Sequence, residues 1–145
     1  MKTFSVVIVI YFLLSFSGIA QTEEIIALQK QLIEMGKDDQ KHRPAINDLD
    51  DKIASATGEE KEKLLARSNV LQKEQDDIDK KLMQQLEAII TKHGWPTISL
   101  VGKDASFYAF LVLQHADPSY QKKYLPLLKE AAAKNDANKS NIATL

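Results

Sequence analysis

The sequence predicts an all-α protein: a signal peptide followed by a small helical domain of about five helices. Two observations lead to this prediction. The first twenty residues have the composition of a secretory signal. In most of the remaining chain, apolar residues recur at intervals of three and four, and proline and glycine mark the breaks between these segments.

The N-terminal segment, residues 1–20, has the three parts of a signal peptide. Lys2 precedes an apolar run from Phe4 to Phe16, and Gly18 and Ala20 are small residues at the two positions that a signal peptidase reads. Serine and glycine interrupt the run before it reaches the roughly 20 apolar residues that a membrane-spanning helix needs. We therefore expect cleavage after Ala20, a periplasmic or secreted protein, and no stable membrane insertion afterwards.

Composition limits the possible classes of protein. The 145 residues carry a net charge of −1 and no cysteine. Disulfides and a lipid anchor on cysteine are therefore excluded, and the charge does not provide the basic surface that nucleic acid requires. We expect residues 21–145 to form a single α-helical domain that continues beyond Leu145.

A long helical hairpin is predicted before Gly94. Its first helix, capped by Thr22, carries apolar residues on one face: Ile25, Leu28, Leu32 and Met35. Pro44 ends this helix or opens a shorter one, which repeats the spacing at Ile46, Leu49, Ile53 and Ala56. A capping box from Thr57 to Glu60 then opens a helix that would reach His93 over roughly 50 Å. Its weakest part is the polar stretch 72–77, where a break is possible.

The second half of the chain begins at Gly94, which is suited to end a helix because glycine readily adopts positive φ. The segment Thr97 to Val101 could be extended. A helix from Asp104 to Ala116 is apolar nearly all round, so we expect it at the centre of the domain, where it would bring distant motifs together.

The last helices have clear start signals. Asp117 and Pro118 provide a cap and a first-turn proline for a helix that contains Pro126 in its interior. Ser140 is the expected cap of a final helix.

His93 and Trp95 form the first group of candidate site residues, around the motif His-Gly-Trp-Pro. The simpler interpretation is a helix end with Trp95 in the core. In the alternative interpretation, His93 is a ligand or proton carrier at the edge of a cleft, because histidine titrates near neutral pH.

Gln114, His115, Asp117 and Gln121 form the second group. Asp117 can serve as a helix cap and His115 as a histidine with internal partners. These polar groups at a tight turn could instead face a shared pocket, since buried polar groups need hydrogen-bond partners.

Asp39, Gln40 and Arg43 form the third group. The spacing of Asp39 and Arg43 places both on one helix face, where they can form an ion pair on the surface. Arg43 is also the residue type that clamps a carboxylate or a phosphate, so a binding role is the alternative.

In chain order, the Asp39 group, the His-Gly-Trp-Pro motif and the Gln-His-Ala-Asp motif resemble those of an uncharacterised bacterial family, a domain of unknown function. The resemblance covers about Ile25 to Leu145. Members of that family continue into an Asp-Arg pair that is absent here. The resemblance implies a fold and a set of site candidates but no activity.

Several functions are compatible with the sequence. We favour an exported helical module that binds a small ligand or a protein, because no familiar catalytic motif is present. One alternative is a hydrolase with His93 or His115 as general base and Asp39 or Asp117 orienting it. Another is a structural envelope protein. Zinc at His93, His115 and Asp117 lacks a local ligand spacing, so we expect no metal and no cofactor.

Overall fold

The computed structural model describes the backbone of residues 4–145 and the side chains of residues 21–145. Within that part of the chain it has no strand and contains five α-helices and a terminal 3-10 helix: α1 Phe4–Asp39, α2 Arg43–Ser55, α3 Gly58–His93, α4 Ile98–Gln114, α5 Pro118–Ala133 and the 3-10 helix Lys139–Thr144. The predicted all-α class is confirmed. The signal-peptide prediction, residues 1–20, falls outside the side chains that the structure describes.

The core lies where α1, α3, α4 and α5 meet. Helix α4 packs against each of the other three, and α2 packs along α3. The residues with the most deeply buried apolar side chains come from all four core helices: Leu32, Leu82, Leu86, Leu113 and Leu128. The prediction that the apolar helix ending at Gln114 occupies the centre is therefore confirmed.

Gly36 brings α1 and α4 unusually close together. A Cβ atom at this position would lie 2.0 Å from Cδ1 of Tyr108 on α4. Real Cβ atoms do not approach other atoms this closely, so the packing of these two helices depends on a residue without a side chain. The close packing also fixes how the end of α1 meets the end of α4.

The predicted long helix before Gly94 is confirmed, whereas two expected side-chain caps need correction. Helix α3 continues through residues 72–77 without a break, because Gln75 is buried there and anchored by hydrogen bonds. Thr57 precedes α3, but its side chain makes no capping bond. Thr22 lies inside α1, which begins at Phe4, and so it does not cap that helix. Pro44, by contrast, lies in the first turn of α2, as one of the two predicted placements requires.

The segment Thr97 to Val101 is not extended, contrary to one expectation. Thr97 itself is extended, but the chain is helical from Ile98 onward. Gly102, with a φ of 78° and a ψ of 167°, is non-helical and divides α4 into a short first segment and the helix that follows. Asp136 explains this helical start, because its carboxylate accepts hydrogen bonds from the Ser99 backbone N–H at 2.7 Å and the Ser99 hydroxyl at 2.6 Å. A distant side chain therefore caps this helix.

The remaining helix boundaries follow the sequence more closely. Gly94 ends α3 with a φ of 74°. Asp117 caps α5 by accepting a hydrogen bond from the Ser119 N–H at 2.8 Å, and Pro126 lies inside that helix. The cap of the final 3-10 helix is Asn138 rather than Ser140, because Ser140 donates its backbone N–H to the Asn138 side chain.

No helix in the described part of the chain combines the length and the apolar character needed to cross a membrane.

Candidate functional site

The corner between α1 and α2 holds a buried carboxylate. Asp39 is the last residue of α1, and only 1 % of its side chain is exposed. Arg43 is the first residue of α2, so the helical spacing of these two residues is interrupted by a short turn. Gln40 within that turn donates its side-chain N–H to Asp39 at 2.6 Å. A buried carboxylate requires such donors, because burial without them is very costly.

His115 supplies the main partner of Asp39. It follows directly after α4, and its Nδ1 lies 2.9 Å and 3.0 Å from the two Asp39 carboxylate oxygens. When Asp39 is ionised, Nδ1 of His115 carries a proton and donates it to the carboxylate. The second ring nitrogen, Nε2, takes no part in this hydrogen bond. Nε2 has no hydrogen-bond partner among the described residues, and 25 % of the His115 side chain is exposed.

Arg43 joins this pair to α3. Its Nη2 donates to both carboxylate oxygens of Asp79 at 2.8 Å and lies 3.4 Å from Asp39 Oδ1. The shorter distances show that Asp79 is the principal partner of the guanidinium. Arg43 was singled out in the sequence as a clamp for a carboxylate, and the carboxylate that it clamps here is internal.

Gln75 holds the two acidic residues in place. It is completely buried, and its Nε2 donates to the backbone carbonyl of Asp39 at 2.9 Å and to Asp79 Oδ1 at 2.8 Å. Its Oε1 accepts the His42 backbone N–H at 3.1 Å. We refer to these five residues as the Asp39 cluster: Asp39, Arg43, Gln75, Asp79 and His115.

Gln75 and Asp79 were not among the predicted site residues. A usable signal existed, because Gln75 lies between Leu71 and Ile78 at the spacing of the apolar face of α3. A polar residue on an otherwise apolar face needs internal partners, and that requirement marks it as part of a buried network.

The electrostatics of the Asp39 cluster favour an ionised carboxylate. Burial by itself would raise the pKa of Asp39, but the hydrogen bond and charge of His115, the hydrogen bond from Gln40 and the charge of Arg43 outweigh it. The net result is a pKa below the usual value for aspartate. Asp39 is therefore an anion at neutral pH that holds the His115 ring in one orientation.

Two clefts meet at His115. The first, which we call the His115 cleft, has a volume of about 300 Å³. It combines carboxylates with apolar and aromatic side chains, and its lining includes Asp76, Asp79, Lys80, Met83, Asp117 and Tyr120. The second cleft, of about 510 Å³, is more polar and lies beside Arg43, Gln40, Asn47 and Gln72. His115 lines both, so its ring is accessible to a molecule in either cleft.

The His-Gly-Trp-Pro corner lies away from the Asp39 cluster. The expectation that the central helix brings these two motifs together is therefore wrong. His93 Nε2 is 3.7 Å from Glu24, in the middle of α1, and Trp95 is buried in the core. Glu24 and Asp39 are about 22 Å apart along α1 at about 1.5 Å per residue. The reason is geometric: the two motifs flank α4 and so lie at its opposite ends.

The other residues around the Gln-His-Ala-Asp motif have structural contacts. Gln121 donates its side-chain N–H to the backbone carbonyls of Gln114 at 2.7 Å and Ala116 at 3.2 Å, which satisfies the end of α4. Asp117 is exposed and caps α5, and it also lines the His115 cleft. Of the second candidate group, only His115 joins the Asp39 cluster.

Tyr120, on the rim of the His115 cleft, belongs to a second polar group. Its hydroxyl lies 3.4 Å from Glu87 on α3, which also accepts hydrogen bonds from Lys123 and Tyr124 at 2.6 Å and 2.8 Å. The Lys123 and Tyr124 hydrogen bonds lower the pKa of Glu87. This group ties α5 to α3 and so fixes one wall of the cleft.

Among the side chains that the structure describes, no three from His, Cys, Asp or Glu are grouped so that they could hold a metal ion.

Comparison with known proteins gives one match. The model of a family of unknown function, DUF6624, matches residues 17–143, which is most of the chain and includes every residue of the Asp39 cluster. No curated protein and no solved structure matches the chain. The chain therefore belongs to the DUF6624 family of unknown function.

Proposed function

We propose that this protein is a ligand-binding module in which His115 contacts a small molecule held in the His115 cleft. The observation that carries the proposal is the asymmetry of the imidazole: Nδ1 is fixed by the buried Asp39 carboxylate, whereas Nε2 has no partner among the described residues. A hydrogen-bonding atom with a fixed orientation at the edge of a cleft is a common feature of small-molecule sites.

The lining of the cleft favours a ligand that donates hydrogen bonds. When the His115 imidazole is neutral and its proton is on Nδ1, Nε2 is a hydrogen-bond acceptor. Asp76 and Asp117 add further acceptors, while Lys80 is the one ammonium group among the lining residues. Met83 and Tyr120 offer apolar contact area beside them. A small molecule with an amine or hydroxyl group on an apolar body matches these features.

Fragment binding to the wild type and to one variant tests this proposal. His115→Asn retains an N–H group near the position of Nδ1, and so keeps a donor for Asp39, but it removes Nε2. We would screen small fragments by protein-observed NMR, including benzylamine, benzyl alcohol and benzoate as probes of the same size and different charge. We expect hits to perturb resonances of His115, Met83 and Tyr120, with benzylamine ahead of benzoate, and to lose affinity in His115→Asn. Hits that bind elsewhere, or bind equally well to His115→Asn, would contradict the proposal.

A second candidate function is general-base catalysis, because a carboxylate that orients a histidine is also the arrangement found in many hydrolases. The described lining residues of the His115 cleft include no serine, threonine or cysteine, and a water activated by His115 is the nucleophile that we propose for this function. Hydrolysis of p-nitrophenyl acetate that follows the titration of a histidine and disappears in His115→Asn would favour this function over simple binding.

We also propose that the protein is exported, with cleavage after Ala20 as the sequence of residues 1–20 suggests. Expression in a Gram-negative host followed by mass spectrometry tests this directly. We expect a periplasmic species that begins at Gln21. An intact N-terminus on protein recovered from the cytoplasm would contradict the proposal.

A further inference from the structure

We propose that Asp79 is a positioning residue that keeps Arg43 away from Asp39, so that the Asp39 carboxylate remains available to His115. This inference rests on the proposed role of His115 as the ligand-contacting group. It goes further because it assigns a task to Asp79, which also lines the His115 cleft but acts on the imidazole through Arg43 and Asp39.

The argument starts from a competition for one nitrogen atom. Every hydrogen bond of Arg43 to a carboxylate in this region uses Nη2. Both oxygens of Asp79 lie 2.8 Å from that atom, whereas Asp39 Oδ1 lies 3.4 Å from it. Charge-assisted N–H···O bonds are typically about 2.7–2.9 Å long, so the bond to Asp79 is well formed and the contact with Asp39 is weak.

The consequence for His115 follows from the geometry of Asp39. Its two oxygens lie 2.9 Å and 3.0 Å from His115 Nδ1. The imidazole is therefore closer to the Asp39 carboxylate than the Arg43 guanidinium is. If Arg43 moved onto Asp39, a permanent cation would share the carboxylate with the imidazole. The His115–Asp39 hydrogen bond would weaken, and with it the orientation of Nε2.

Gln75 fixes Asp79 in the position that this role requires. One amide group donates both to Asp79 Oδ1 and to the backbone carbonyl of Asp39, so the separation of the two acidic residues is set by a buried side chain. Asp79 is itself largely shielded, with 17 % of its side chain exposed. Solvent therefore screens the contest between Asp39 and Asp79 less than it would on an open surface.

The test compares two variants that would have the same effect on His115 if the Arg43–Asp79 ion pair were only structural. Asp79→Asn and Arg43→Gln both break the Arg43–Asp79 ion pair. Under our proposal, Asp79→Asn releases Arg43 onto Asp39, while Arg43→Gln leaves Asp39 to His115 alone. The asparagine also keeps an oxygen for Gln75. The readout is the proton resonance of the His115 Nδ1–H group, which lies far downfield when the hydrogen bond to a carboxylate is strong.

We expect this resonance to move upfield or to be lost to solvent exchange in Asp79→Asn, to stay downfield in Arg43→Gln, and to be restored in Asp79→Glu. A crystal structure of Asp79→Asn should show the Arg43 Nη2 to Asp39 distance shortened from 3.4 Å to about 2.8 Å. Asp76→Asn is the matched control, because Asp76 lines the same cleft and its loss changes the local field without releasing Arg43.

Three results would overturn the inference: an unchanged resonance in Asp79→Asn, equal shifts in Asp79→Asn and Arg43→Gln, or a shift of the same size in Asp76→Asn. Circular dichroism would confirm that each variant is folded before it is scored, and Asp79→Glu provides the test if Asp79→Asn does not fold. In that case, an Asp79→Glu resonance that differs from the wild type would count against the inference. All readouts use ligand-free protein, so they can fail while the fragment screen succeeds, and the reverse.

Discussion

The carboxylate of Asp39 and the imidazole of His115 are separated by 76 positions in the sequence and by 2.9 Å in the folded protein. One ends α1 and the other follows α4, and the close packing of these two helices brings the two ends together. The pair is the centre of a network that also reaches α2 through Arg43 and α3 through Asp79. Four helices therefore depend on one buried anion.

The first prediction concerns the pH dependence of stability. The pKa of Asp39 is lower in the folded protein than its ordinary value of 3.8. In this case the unfolded chain binds the proton more tightly, so Asp39 contributes stability above about pH 4 and loses it as the pH falls through its folded pKa. Urea denaturation between pH 7 and pH 3 should therefore show a steeper loss of stability for the wild type than for Asp39→Asn.

Other carboxylates with lowered pKa values, such as Glu87 and Asp136, titrate in the same pH range. They are present in both proteins, so the difference between the two curves isolates Asp39. Parallel curves would show that Asp39 has no favourable interaction with His115 and Arg43 in solution.

The second prediction concerns Gln75. Replacing it with leucine removes the partners of the Asp39 carbonyl and the His42 N–H, both of which depend on this side chain. Because a buried group without a partner costs about 1–3 kcal/mol, we expect the free energy of unfolding to fall by about 2–4 kcal/mol. Chemical denaturation gives the value.

Gln72→Leu is the matched control for Gln75, because it makes the same chemical change on an exposed face of the same helix. Surface substitutions of this kind usually change stability by less than about 0.5 kcal/mol. Equal effects of the two substitutions would mean that Gln75 does not hold the α1–α2 corner.

The third prediction concerns the contact between Gly36 and Tyr108. Alanine favours a helix over glycine by about 1 kcal/mol, but its Cβ would overlap the Tyr108 ring. We expect Gly36→Ala to lower the free energy of unfolding by a net of about 1–2 kcal/mol, because the cost of overpacking the core exceeds the gain in helix preference.

Tyr108→Ala provides the background that reveals the cause. With the ring removed, Gly36→Ala should become stabilising by about 1 kcal/mol, since only the helix preference remains. A double-mutant cycle by thermal or urea denaturation measures this change of sign. If Gly36→Ala destabilises both backgrounds equally, the overlap is not the reason.

The fourth prediction distinguishes the two interpretations of Trp95. The ring is buried, and its Nε1 has no hydrogen-bond partner among the described residues. Trp95→Phe removes that donor while keeping most of the apolar contact, so we expect a change in unfolding free energy within about 1 kcal/mol. Trp95→Ala should cost about 3–5 kcal/mol. A cost below about 1 kcal/mol for Trp95→Ala would contradict a core role of the ring.

The sequence by itself determined the local features of this protein. Apolar spacing in α1 and α3, the positive φ of Gly94, and the Asp117–Pro118 start of α5 are properties of neighbouring residues, and each was predictable from the chain alone. The ordered motifs also pointed to a family of unknown function, and the match over residues 17–143 agrees with that resemblance.

Only the tertiary structure decided which motifs meet. His93 and His115 were equal candidates in the sequence for a histidine oriented by Asp39. In the structure they lie at opposite ends of α4, and it is His115 that pairs with Asp39. Gln75 lay in the polar stretch 72–77, Asp79 had no predicted role, and Asp136 gave no sign of capping α4. The physical reason is the same in each case: helix spacing fixes partners three or four residues apart, whereas contacts between helices depend on how their ends align after packing.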